Sequence, residues 1–184
     1  MSPQEQSVAV QVLLAEYTSI KDEQKQRIGF RDNLIYATLA SLAAVLAATL
    51  QSGGHPERLL LLPPVTFLLG WTYLINDHKI SSIGRYIRGD LAPRLAAVLP
   101  GDTTVFGWEA SHLRDERRTS RKYLQLASNL LVFCLSSATA IVLFWAHDGN
   151  AGWLTAASVA EFAGLAVLAS QVVRYADLRP HGTG

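Results

Sequence analysis

Residues 151–173 read AGWLTAASVAEFAGLAVLASQVV, 23 residues with a single charged side chain, Glu161, near the middle. A helix of that length, rising ~1.5 Å per residue, crosses a hydrocarbon layer of about 30 Å. A charged group at mid-depth costs about 3 kcal/mol or more. Glu161 therefore needs a partner, a proton or water. Three further apolar runs occur at residues 34–50, 59–75 and 123–146. The expected fold class is all-α, a four-transmembrane-helix bundle.

The composition agrees with that class. The chain has 184 residues, enough for one domain, with 49% hydrophobic side chains and a mean hydropathy of +0.19. A net charge of +1 gives no case for nucleic acid as a partner. The one cysteine, Cys134, lies inside an apolar run and reads as a packing residue, which excludes an internal disulfide and a thiol metal site. No cleavable leader is read before the first run, so that span is expected to stay in the mature protein.

The polar segments carry helical patterns of their own. Residues 1–33 read as an amphipathic helix continuous with the first span, with Leu13, Tyr17 and Ile20 at three- and four-residue spacing. Residues 76–122 continue the second helix, with Ile80, Ile83, Ile87 and Leu91 on one face. Pro93 reads as the end of that helix and Leu99 to Thr103 as a turn. A third helix is expected from about Trp108, charged as far as Arg121 and apolar beyond. The two apolar stripes are each other's nearest cover, which predicts a helical layer outside the membrane built from helices one to three. Residues 174–184 form a tail.

Of the 16 Lys and Arg residues, only Arg58 falls in a loop on the far side of these spans. The asymmetry predicts that both termini are cytoplasmic. Tyr36, Tyr73, Tyr123 and Tyr175 at the inner ends, and Trp145 and Trp153 at the outer turn, fit the same topology.

Glu161 is the first candidate for chemistry. Ala157, Ser158 and Gly164 lie beside it, and Ala156, Ala160 and Gly164 form a ladder of small residues that admits a neighbouring helix. The acid is either an ion or proton site or a packing lock, hydrogen-bonded to Ser136, Ser137 or Thr139. Asp32, Asn33, Asn76 and Asp77 stand at matching depth at the inner ends of spans one and two. They form either a polar girdle at an ion mouth or salt bridges to Arg31 and Lys79. Arg114, Arg117, Arg118, Arg121 and Lys122 share one helical face. That stripe reads either as charge that sets topology or as a site for anionic lipid or a small anionic ligand.

No phosphate-binding, dinucleotide, zinc-protease or serine-hydrolase motif occurs, and the five histidines have no ligand spacing. The expectation is therefore no enzyme, no cofactor and no bound metal. One acid per chain becomes a ring in a symmetric homo-oligomer, and acid rings select cations. An ion channel or transporter in a lipid bilayer is the first reading. A non-conducting sensor, effector or scaffold, whose cytoplasmic helices bind a partner protein, is the second.

With Glu16-Tyr17, Glu23-Gln24, Arg27-Ile28, Arg31-Asp-Asn-Leu34, Gly70-Trp71, Asp77 and Ile83-Gly84-Arg85-Tyr86-Ile87 lined up, residues 12–92 resemble small bacterial four-helix integral inner-membrane proteins. The resemblance implies a bacterial plasma membrane and this architecture. It implies no reaction and assigns no site residue.

Overall fold

The computed structural model describes residues 2–51, 55–101, 105–107, 118–148 and 152–176. The chain is all-α over these residues. Helix α1 spans Pro3–Leu50, and a 3-10 turn over Pro56–Leu61 leads into α2, Leu62–Tyr86. A π turn at Ile87–Leu91 joins α2 to α3, Ala92–Val98. Helix α4, Arg118–Asn129, passes through a second π turn, Leu130–Leu135, into α5, Ser136–Asp148, and α6 covers Trp153–Tyr175. Among the described residues four stretches are long and apolar enough to cross a membrane: Pro3–Leu50, Glu57–Val98, Lys122–Ala146 and Trp153–Tyr175.

Local chemistry explains the boundaries. The Ser2 hydroxyl accepts from the Glu5 amide while the Glu5 carboxylate accepts from the Ser2 amide, a capping box with Pro3 at the first helical position. At the other end of α1, Arg58 donates to the Ala48 carbonyl at 2.6 Å, capturing an acceptor that the helix itself leaves open. Gly152 precedes α6 with φ +52°, a conformation that favours glycine.

Pro93 does not end the second helix as its sequence position predicts. The Ala92 amide reaches five residues back to Ile87 in the π turn, and Pro93 then enters the first turn of α3, where its missing N–H costs least. The stop comes at Leu99, whose backbone is extended, followed by Gly101 at φ +80°. The expected start at Trp108 lies outside the described residues.

The chain divides into two compact units, one of residues 1–30 and 76–118 and one of residues 31–75 and 119–184. In the first, the buried residues Leu13, Ile87, Leu91 and Leu95 form a core joined by Tyr17, Ile20, Ile83 and Val98. Two amides clamp α1 to α2 there. Gln24 donates to the Ile80 carbonyl at 3.3 Å, and the buried Asn76 donates to the Arg27 carbonyl at 2.6 Å while accepting from the Arg27 guanidinium at 3.4 Å. The Phe106 ring stacks on Tyr17 with centroids 4.0 Å apart.

In the second unit, Leu34, Tyr73, Leu74, Phe133, Cys134, Leu165, Leu168 and Val172 pack together, so all four apolar stretches contribute to one core. Gly70 sets the spacing. A Cβ built on it would lie 3.0 Å from both Leu168 and Phe133, whereas one on Gly29 would meet nothing within 4 Å. Gly70→Ala is therefore expected to destabilise by about 1–2 kcal/mol through overpacking. Gly29→Ala is expected to stabilise by about 0.5–1 kcal/mol through helix propensity. Thermal unfolding of the two variants in detergent checks the opposite signs.

The Tyr86 hydroxyl donates to Glu16 at 2.5 Å, with Arg94 beside Asp90 at 3.4 Å. The bond to Glu16, then burial and the nearby acidic charges, raise the phenol above its ordinary value. A raised folded value means the contribution is complete below the unfolded value of ~10 and is lost as pH climbs through the folded one. The stability difference between the parent and Tyr86→Phe should stay constant from neutral pH to about pH 10 and shrink above it. Denaturant titrations at stepped pH measure that difference.

Candidate functional site

Buried positions on α6 recur at Ser158, Leu165, Leu168 and Val172, and Leu154 packs one turn earlier against Leu60, Ile141 and Phe144. Glu161 stands three residues after Ser158 and four before Leu165, so it occupies the inward seam of the helix and is itself half-buried. Its depth follows from its neighbours. Leu168 lies against Gly70 and Phe133, a Cβ on Gly164 would lie 3.8 Å from Phe67, and Leu154 meets Leu60 and Ile141. Between those levels Glu161 comes abreast of Thr66 on α2 and Ser137 on α5.

The Glu161 Oε2 atom is buried and has no hydrogen-bond partner among the described residues. The hydroxyls expected to lock it are engaged elsewhere. Ser136 donates to the Val132 carbonyl at 2.6 Å and Thr139 to the Leu135 carbonyl at 2.8 Å. Ser137 pairs with Thr66, which also donates to the Pro63 carbonyl at 3.1 Å, and both are fully buried. Above the acid, the Trp145 indole donates to the Ser158 hydroxyl, which donates in turn to the Thr155 carbonyl, each at 2.8 Å. Thr66 and Ser158 are thus buried polar members of this interior, and the exposed Trp145 reaches Ser158 from the rim. Thr66 lies seven residues before the buried Tyr73, two helical turns away, and that spacing is the signal that marks it as inward-facing.

Of the residues of the proposed inner mouth, Asp32 and Asn33 belong to the second unit. Asp32 is ion-paired with Arg31 at 3.3 Å, the salt-bridge alternative, and Asn33 is exposed. Leu34 packs in the cluster of Leu168 and Val172, and Asp32 lies two residues further from the level of Glu161, so it stands roughly 13–20 Å along the helix axis from the acid at ~1.5 Å per residue. Asn76 and Asp77 belong to the first unit. The Asn76 amide is committed to Arg27, and Asp77 is half-buried and engaged. Of the basic stripe, Arg114 and Arg117 lie outside the described residues. Arg118 and Arg121 fall on α4, and Lys122 is half-buried and engaged. Among the described residues no group of three or more His, Cys, Asp and Glu side chains converges as metal ligands do.

Comparison of the sequence with protein-family models, with curated proteins and with solved structures finds no match.

An orphaned buried oxygen is a cost that an apolar side chain of similar volume removes. Glu161→Met is expected to stabilise the protein by about 1–2 kcal/mol, since an unsatisfied buried polar group costs about 1–3 kcal/mol. Thr66→Val, which strips Ser137 of its partner, should destabilise by a similar amount. Unfolding of the two variants in the same detergent separates an acid held at a cost from one that locks the helices.

Proposed function

We propose that this chain is a multi-pass protein of a bacterial plasma membrane, a four-helix bundle with both termini cytoplasmic, and that it assembles as a homo-oligomer that moves cations by way of Glu161. The observation that carries this reading is the buried, unpartnered Oε2 of Glu161 on the inward seam of α6. A carboxyl retained in an apolar interior without a structural bond is a functional group by default. Fifteen of the 16 basic residues on one side support the orientation, and the resemblance of residues 12–92 supports the bacterial membrane.

Oligomerisation is supported by the uneven burial of the helices. Only 11% of the apolar window of α1 is buried within the chain, against 50% for the window containing α2. The outer face of α1 carries Ala37, Ala40, Ala44 and Ala47, small enough for close approach of another helix.

A second reading is favoured by a different observation. The unit of residues 1–30 and 76–118 has its own buried core and its own polar clamps, more organisation than loops between spans require. In that reading the unit binds a partner protein, and the membrane helices anchor or transmit.

Purified protein in liposomes decides between them. Cation flux is expected from the parent chain and a more than tenfold loss from Glu161→Gln and Glu161→Ala at unchanged incorporation. Equal flux from all three removes Glu161 from the pathway, and no flux from folded parent protein favours the second reading.

A further inference from the structure

No hydrogen-bond donor reaches the buried Glu161 Oε2 among the described residues. Thr66 lies within bonding distance of both the Pro63 carbonyl and the Ser137 hydroxyl, so these two hydroxyls are bonded to each other and to the backbone. Ser158 spends its hydrogen on the Thr155 carbonyl, and the Trp145 N–H is spent on Ser158. A carboxylate is acceptor-only, so an ionised Glu161 would hold a buried charged oxygen with no donor to satisfy it, whereas the neutral acid avoids that charge.

No countercharge is at hand. Residues 33–50, 59–76 and 123–146 contain no Asp, Glu, Lys, Arg or His, and their titratable side chains are Tyr36, Tyr73, Tyr123 and Cys134. Tyr73 and Cys134 pack with Leu168, about 10 Å along the helix from Glu161 at ~1.5 Å per residue. Nor is there a shell for a dehydrated metal ion. Hard cations take about six or more oxygen ligands, and here the buried carboxyl oxygen has no polar partner among the described residues. Helix α6 is unbroken around Glu161, so its own carbonyls there are engaged in backbone pairing.

We infer that Glu161 is a proton-binding site: its carboxyl resides in the protein interior as the neutral acid, and the species it takes up and releases is a proton, not a metal cation. The inference deepens the transport reading and draws its meaning from it. Its test is spectroscopic, so the protonation state can fail while flux stands, and the reverse.

Infrared difference spectra of the full-length protein in liposomes at neutral pH, parent minus Glu161→Gln, are expected to show the C=O stretch of a protonated carboxylic acid, downshifted in deuterated water. The band should be unchanged when sodium, potassium or lithium replaces a bulky organic cation. Glu161→Asp, which keeps the carboxyl, should retain an acid band if it folds. Carboxylate bands in place of the acid band at neutral pH overturn the inference, and so does an acid band that any of the three metal ions abolishes. Flux that persists alongside metal-sensitive carboxylate bands leaves the transport reading intact with a metal cation as its substrate.

Discussion

A hydrogen-bond donor among apolar helices has no water to fall back on, and that constraint orders the membrane-sized part of this chain. The nearest acceptor is the backbone carbonyl one turn earlier. Thr38 takes Leu34, Ser41 takes Ala37, Thr49 takes Val45 and Thr72 takes Leu68. Ser136, Thr139 and Ser170 follow the same habit. Such back-bonding satisfies the hydroxyl at little cost to the helix. It also spends the one hydrogen that each of these hydroxyls can donate. Glu161 is the exception because an acid-form carboxyl has to find its acceptor outside its own turn and an ionised one has nothing to accept from.

The two units solve the problem of holding helices together by different means. In the unit of residues 31–75 and 119–184 the contacts are mainly apolar, with glycine admitting Phe133 and Leu168 against α2, while the bonds of Thr66 with Ser137 and of Trp145 with Ser158 join helices. In the unit of residues 1–30 and 76–118 the apolar core of Leu13, Ile87, Leu91 and Leu95 is supplemented by side-chain amides that reach the backbone of the opposite helix. An amide can do this where Arg27, Glu23 and Lys25 keep their charges in contact with solvent. The surface ion pairs among them contribute little to stability by comparison.

Helix class and length were legible because hydropathy and a 3.6-residue period report directly on burial. The pairing of Leu13, Tyr17 and Ile20 with Ile83 and Ile87 was readable for the same reason, since each stripe had only one apolar surface within reach along the chain. Pro93 was misread as a stop because sequence gives the proline and not the π turn that accommodates it. The bond from the Asn76 amide to the Arg27 carbonyl, 49 residues away, was not legible, because no local pattern announces it. For Glu161 the inward direction was legible from Ser158 and Gly164 beside it, whereas Ala156 and Ala160 of the small-residue ladder are exposed. Its lack of a hydroxyl partner was not, because whether a serine bonds across to another helix or back to its own turn depends on rotamers that composition does not encode.

The π turn at Leu130–Leu135 holds one residue more than a regular helix fits into the same advance, and it does so in the middle of a membrane-sized helix, with Phe133 and Cys134 in the core. The Ser136 amide reaches back to Leu131 while its hydroxyl takes the Val132 carbonyl, so the extra residue is absorbed without an open acceptor there. In evolutionary terms this is a place where a span can gain or lose a single residue without changing length. Homologous chains aligned by hydropathy alone would then slip by one position beyond it, carrying Ser137 off the face that meets Thr66.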